Sequence, residues 1–260
     1  MKNATSPLPA ERQQRILEIL RKEFTARSSL LSEELNVSEM TIRRDLDVLE
    51  RSGQVERTHG GAVFRHERVV GKFHYQSSIK ENPVEKQQIA RKAASLIEPN
   101  DIVYIGEGTT AAQVVRFAEP GMPFCIFTNN LGVITEINGS PAELILLGGT
   151  YNPATHALAG PLTMEMIRQI HATKVFLGAD GLSINAGITT PNLEIAVIER
   201  TMIRQTHGKV IVMANHTKFG RVAEVSVTPL KNIDILITNR PIPHEFLKDL
   251  ETMGVSVMIA

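Results

Sequence analysis

Tryptophan is absent from the 260-residue chain, cysteine occurs once, at Cys125, and aromatic residues make up only 5% of the sequence. A single cysteine has no intrachain partner, which excludes a disulfide scaffold. The eight histidines are scattered without a paired ligand spacing and no Gly-x-Ser-x-Gly occurs, so neither a metal site nor a serine triad is indicated. Cys125 lies inside an apolar run and is expected in the core. Net charge is lacking as well: 28 basic residues stand against 28 acidic ones, which argues against a protein that coats nucleic acid through bulk positive charge. No apolar run approaches the roughly 20 residues that a membrane helix requires. Met1 to Ala10 has neither the apolar stretch nor the cleavage site of a signal peptide, so a cytoplasmic location without a membrane partner is expected. What remains is an ordinary globular composition, 42% hydrophobic and 22% charged, of a length that suits one large or two ordinary domains.

The first sixty or so residues read as three helices and a hairpin. Ile16, Ile19, Leu20 and Phe24 recur at helical spacing; Ser28 or Ser29 caps a second helix with Leu30, Leu31 and Leu35; Ser38 caps a third with Ile42, Leu46 and Leu49, which Gly53 stops. Strand-like residues flank the Gly60-Gly61 turn between Val55 and Phe64. With Ile42 at the centre of the buried face, Met40, Arg44, Asp47 and Arg51 point outward and Thr41 and Arg43 lie on the flanks. Such a cationic helix suits the major groove, where Arg forks onto guanine and Thr meets either base type. Ser38 at the helix start suits a backbone phosphate. Arg57 and His59, in or beside the hairpin, supply a second basic element of the kind a wing presents. Asp45 falls near the buried stripe, which points to a structural ion pair with a neighbouring arginine.

Arg65 to Gln76 has no clear period and reads as a linker, giving a DNA-binding unit at 1–64, the linker at 65–76 and a larger domain at 77–260. That domain carries seven apolar runs, at 102–105, 124–127, 144–147, 175–177, 210–213, 233–237 and 255–259. Consecutive apolar positions with long intervals predict a mostly parallel sheet covered by helices on both faces. Ligands of such sheets bind beyond the carboxyl ends of the strands. The residues there are small and polar: Gly106, Glu107, Gly108, Thr109 and Thr110; Thr128, Asn129 and Asn130; Gly148, Gly149 and Thr150; Gly178 to Gly181, with Asp180; Asn215, His216 and Lys218; Thr238 and Asn239. Gly108-Thr109-Thr110 opens a helix, and Lys218 adds a point charge, so a hydroxyl-rich anion is the ligand that fits.

These residues carry a resemblance. Val37 to Leu46 (VSEMTIRRDL), Leu49-Glu50, Gly53 and Arg57 to Ala62 (RTHGGA) resemble the winged helix-turn-helix signature of the DeoR family of bacterial sugar-metabolism regulators. More weakly, Glu85-Lys86 through Ile89-Ala90, Gly108-Thr109-Thr110, Thr128-Asn129, Gly148-Gly149, Phe176 to Gly181 (FLGADG) and Lys218-Phe219-Gly220 resemble that family's sensor domain. The resemblance implies a ribose 5-phosphate isomerase-like α/β fold, Thr41, Arg43 and Arg44 on the recognition helix, and a phosphorylated sugar as effector. The site residues expected are therefore Ser38, Thr41, Arg43, Arg44, Arg57 and His59 for DNA, and Glu107, Gly108, Thr109, Thr110, Thr128, Asn129, Gly148, Gly149, Asp180 and Lys218 for the effector. The sequence departs from the family pattern in one place, where Gly106 stands for a common Asp. Glu107, next to it, is the candidate to replace the missing carboxylate.

Two alternatives compete. A sugar-phosphate isomerase needs an acid or base, for which Asp180 and Glu194 are candidates, and a lysine partner, which the stretch 180–195 lacks. A dinucleotide sensor would use Gly106-x-Gly108-x-x-Ala111, but Thr128 and Asn129 stand where the ribose-binding acid belongs. The expectation is thus a non-enzymatic repressor without cofactor, binding double-stranded operator DNA as a homodimer or homotetramer, since one small winged domain reads few base pairs.

Overall fold

The computed structural model describes residues 8–23, 25–58, 60–64, 74–137, 139–140, 142–240, 242 and 244–260. The chain divides into two compact units, Met1–Glu67 with Ile242–Asp249, and Arg68–Pro241 with Leu250–Ala260.

The N-terminal part of the first unit consists of α1 (Pro9–Glu23), β1 (Thr25–Arg27), α2 (Ser28–Leu35), α3 (Glu39–Arg51), β2 (Val55–Arg57) and β3 (Gly61–Phe64). Ile16, Leu20, Leu31, Ile42 and Leu46 are fully buried in one core, each stabilising the unit by about 1.5–3 kcal/mol relative to an exposed side chain. Leu30, expected to share that core, is exposed; Phe24 lies outside the described residues. The cap of α2 also differs from expectation. Arg27 occupies the N-cap position, where its side chain does not cap the helix, and Ser28 is buried in the first turn, its backbone N–H donating to Gly60 O. The cap of α3 is the expected one: Ser38 Oγ accepts from Thr41 N at 3.2 Å. Gly53 follows that helix with φ +74°, a left-handed conformation that glycine adopts without a Cβ clash.

The strand order is β1-β3-β2, all antiparallel. β1, only three residues between two helices, has no periodic signal in the sequence, yet it converts the hairpin into a three-stranded sheet. A side chain at Gly61 would overlap Ala26 O, so glycine is what lets the wing pair with β1. Asp45 lies on the buried side of α3 and binds Arg12 of α1 at 2.5 Å, with both residues more than nine-tenths buried; Gln13 Nε2 adds a bond at 3.1 Å.

The second unit is built on a seven-stranded, wholly parallel sheet: β4 (Ile102–Ile105), β5 (Cys125–Thr128), β6 (Glu143–Leu146), β9 (Ala172–Leu177), β12 (Thr206–Met213), β14 (Ile235–Thr238) and β15 (Ser256–Ile259). Each corresponds to one of the seven apolar runs. Along its sequence lie α4 (Tyr75–Lys80) and α5 (Pro83–Ala94) before β4, then α6 (Thr109–Ala112), α7 (Gly132–Glu136), α8 (Pro161–Arg168) and α9 (Leu193–Arg204), while α10 (His244–Thr252), between β14 and β15, begins in residues grouped with the first unit and ends in the second. Short antiparallel strands escaped the sequence reading: β7 (Thr150–Asn152) pairs with β8 (Ala157–Ala159), and β11 (Gly187–Thr190) pairs with both β10 (Gly181–Ser183) and β13 (Val225–Thr228). Cys125 starts β5 and is half-buried rather than sealed in the core.

The order in the main sheet is β15-β14-β12-β9-β4-β5-β6. The chain moves outward from β4 through β5 to β6, then returns to β4's other side with β9. The connections therefore diverge between β4 and β9, the switch point where an open parallel sheet leaves a crevice beyond its carboxyl ends.

Candidate functional site

On the N-terminal unit, α3 presents Met40, Arg43, Arg44 and Asp47 to solvent, with Thr41 half-buried. Arg43 lies 3.5 Å from Glu39, an exposed i,i+4 pair that holds the side chain only weakly. Arg57 is more firmly held: its Nη1 donates to Asp47 Oδ1 at 2.6 Å and to Arg43 O at 3.0 Å, while its backbone N–H donates to Glu50 Oε1. This guanidinium ties β2 to the recognition face of α3. Ser38 Oγ also lies 2.9 Å from Thr41 Oγ1. His59 lies outside the described residues.

In the second unit a cleft opens at the switch point. Its walls come from the loop after β4 (Glu107, Gly108, Thr109, Thr110), the loop after β9 (Gly178, Ala179, Asp180), the end of β12 with Asn215 and Lys218, and from Ser78, Lys86, Thr189, Thr190, Ile195 and Glu199. Six of the ten expected effector residues thus meet in one place: Glu107, Gly108, Thr109, Thr110, Asp180 and Lys218. Gly108 has φ +104° and open space around it, so the turn rather than crowding requires glycine. The helix it opens is a single turn, α6, continued by a 3₁₀ segment to Phe117, so its dipole is slight compared with the lysines nearby.

The other four expected residues do not line the cleft. Thr128 and Asn129 are fully buried beneath it. Thr128 Oγ1 donates to Ile105 O at 2.6 Å, and Asn129 Nδ2 donates to Glu107 Oε1 at 2.9 Å and Leu158 O at 2.8 Å. Asn130 completes this support through bonds from Nδ2 to Gly106 O and Gly108 O. Gly148 and Gly149 pack against α8: Thr163 Oγ1 donates to Gly148 O, and a side chain at Gly149 would overlap Thr163 and Ala159. Strand ends close in sequence pattern are thus not equivalent in space; those beyond β5 and β6 lie to one side of the switch point.

Sequence reasoning missed Ser78, Lys86, Thr189, Thr190 and Glu199 as site residues. Lys86 comes from α5, before the first strand, where no strand-end rule reaches. It is buried, donates through Nζ to Ser78 O and Oγ, and its pKa is lowered from 10.5 to about 8 by burial and by neighbouring Lys218. Ser78 Oγ lies 3.3 Å from Thr109 Oγ1. Acidic groups face these cations. Burial lifts Glu107 to a pKa of about 7, aided by Glu194 and Asp180. Asp180 is raised by burial although Lys218 and Arg221 oppose it, and Glu199 is raised well above the usual range by burial, then by Glu107 and Asp180. Thr190 Oγ1 donates to Asp180 Oδ2 at 2.9 Å. The segment entering this unit is anchored close by: Tyr75 is buried, its N–H donates to Ala154 O, and its ring lies 4.9 Å from that of His156.

A winged helix-turn-helix unit joined to a parallel α/β unit with a polar, charged cleft at its switch point is the architecture of a DNA-binding regulator. The DeoR-like helix-turn-helix domain matches residues 12–68 and the DeoR C terminal sensor domain matches residues 81–240. The chain belongs to the DeoR family of transcriptional regulators. It is 32% identical to the HTH-type transcriptional regulator GolR of Listeria innocua over 97% of this chain and 99% of that one. It is 32% identical to the lactose phosphotransferase system repressor of Lactococcus lactis over 92% and 94% respectively. Among solved structures it is similar to ribose 5-phosphate isomerase A of Methanocaldococcus jannaschii, with a TM-score of 0.40 and 14% identity over 54% of this chain and 55% of that one. The full-length relatives are named as regulators and repressors, so the chain is a DNA-binding regulator and not an enzyme. Among the described residues no helix is long and apolar enough to cross a membrane.

Proposed function

We propose that this regulator represses carbohydrate-metabolism genes and that a phosphorylated sugar in the cleft controls its affinity for double-stranded operator DNA. Residues 1–64 read the operator through Ser38, Thr41, Arg43 and Arg44, with Arg57 and His59 on the wing. Residues 77–260 sense the effector and join copies into a homodimer or homotetramer, and 65–76 link the two. It acts where operator DNA lies, in the cytoplasm. The observation that carries the effector reading is the lysine pair. Lys86 and Lys218 line one cleft with Thr109 and Thr110, where burial and then Lys218 lower the pKa of Lys86; a phosphate there offsets the positive charge and accepts from ammonium and hydroxyl donors. The repressors among the relatives, one named for a lactose phosphotransferase system, support the sign and the sugar theme.

Effector must bind the DNA-competent and DNA-incompetent states unequally, and a coupling of about 1–3 kcal/mol gives a 5- to 150-fold effect. Fluorescence anisotropy of the full chain on DNA from upstream of its own gene, across salt, tests the reading. Specific binding weakened by a sugar phosphate but not by the free sugar is expected, as is a loss of about 1–3 kcal/mol of specific binding in Arg44→Ala. An operator affinity indifferent to every sugar phosphate sinks the effector assignment.

A further inference from the structure

The cleft holds lysines and a group of carboxyls together: Asp180 has Lys218 as a charged neighbour, whereas Glu107 and Glu199 have other acidic groups as theirs. Glu107 is 6% exposed; its Oε1 accepts the Asn129 amide and the Thr155 hydroxyl lies beside the group, while its Oε2 is buried without a hydrogen-bond partner. Glu199 is 5% exposed, lines the same cleft from α9, and has carboxylates, Glu107 and Asp180, as its charged neighbours. It stands behind Gly106. A Cβ built there lies 3.6 Å from Glu199 Oε1 and 2.6 Å from Leu177 Cδ2, so the missing side chain leaves the Glu199 carboxyl facing the loop after β4.

We infer that the effector carries a cationic amine as well as a phosphate, as an amino-sugar phosphate does, with its ammonium group seated between Glu107 and Glu199. The inference rests on the phosphosugar reading above and adds the second charge. A phosphate drawn to Lys86 and Lys218 takes from Asp180 the cation that faces it most strongly. The floor then holds Glu107, Asp180 and Glu199, with Arg221 opposite Asp180. A neutral hydroxyl leaves that imbalance in place, and the carboxyls must take up protons to stand it. An ammonium group offers three N–H donors and a positive charge, satisfying the free Oε2 of Glu107 and the Glu199 carboxylate through charge-assisted bonds. A metal ion is a poorer occupant, since among the described residues no three Asp, Glu, His or Cys side chains are grouped to hold one.

Titration calorimetry of the full-length protein decides it, with glucosamine 6-phosphate, N-acetylglucosamine 6-phosphate and glucose 6-phosphate as one matched set and the galacto forms as another. In at least one set the free amine is expected to bind roughly tenfold or more tighter than its hydroxyl and acetylated counterparts. Glu199→Gln, nearly isosteric, is expected to bring amine and hydroxyl forms close to parity, with continued binding of the hydroxyl form and an unchanged melting profile reporting an intact site. Equal or weaker binding of the amines, or a preference that survives in both Glu199→Gln and Glu107→Gln, overturns the inference and leaves the phosphosugar reading standing. Binding of no sugar phosphate at all overturns both.

Discussion

Lys86 and Glu199 are charged residues on the apolar stripes of their helices. Lys86 precedes Ile89, Ala90 and Ala93 at spacings of three, four and seven; Glu199 follows Ile195 by four and precedes Met202 by three, and all these neighbours are buried. That pattern, a charge where periodicity demands a hydrocarbon, is a signal the sequence does contain, and strand-end reasoning passes over it because it reads loops. The strand ends at β4, β9 and β12 were legible as residues of one cleft because the switch point brings them together. Those at β5 and β6 were not, since strand order is absent from local pattern. A burial argument yields a prediction for Lys86. Its folded pKa, about 8, lies below the ordinary 10.5, so between these values the unfolded chain binds more protons and stability rises with pH. Below pH 8 the full cost of the buried charge is present. Lys86→Met is therefore expected to raise the melting temperature at pH 7, by a margin that narrows as pH climbs from 8 toward 10.5, while abolishing the effector's influence on DNA binding. Thermal melts across pH, paired with anisotropy, check both halves. Ser78 O retains its bond from Glu81 N, so the substitution strands no backbone acceptor.

At the level of elements, α3 combines a face that meets solvent with a face that locks the unit together. The stripe Ile42, Leu46 and Leu49 and the cap at Ser38 follow from spacing and residue type, so this helix was legible almost to the residue. Its tertiary partner was not: Arg12 is 33 residues away from Asp45, a distance that no helical periodicity spans. Removing one member of a buried ion pair leaves the other charge without a partner, at a cost of about 3–5 kcal/mol, whereas replacing both by apolar residues is often close to neutral. Asp45→Ala is accordingly expected to lower the denaturant midpoint of the N-terminal unit's transition by that order, and Arg12→Met with Asp45→Leu to recover most of it. A single-mutant loss within experimental error shows that the pair is dispensable. Outward-facing Arg57 is different, because its bond to Asp47 is partly exposed and it braces β2 against α3 more than it stabilises the fold.

For the whole molecule, the proposed control requires the two units to communicate, and one small winged domain reads few base pairs by itself. Sedimentation at micromolar concentration is expected to give a dimer or tetramer, with Leu162, Leu193 and Val197 available as exposed apolar side chains on α8 and α9; a monomer mass contradicts the assembly. The sequence changes period near Ser77, whereas the compact units divide between Glu67 and Arg68; the seven parallel strands were visible as seven apolar runs. The antiparallel additions, each three or four residues long, lack the length to show a period against the polar loops around them.

Tyr75 marks the point at which the chain enters the sensor unit, three residues ahead of the Ser78 that Lys86 and Thr109 touch. Its hydroxyl fills the room that a side chain at Gly132 would need; even an alanine methyl there overlaps the ring. Gly132 is thus a lock whose key belongs to the first described segment of the sensor unit. In a genetic screen with a reporter behind the operator, Gly132→Ala is expected to emerge as an allele deaf to inducer, fixed in either the repressing or the released phenotype, although it lies outside the lining of the cleft.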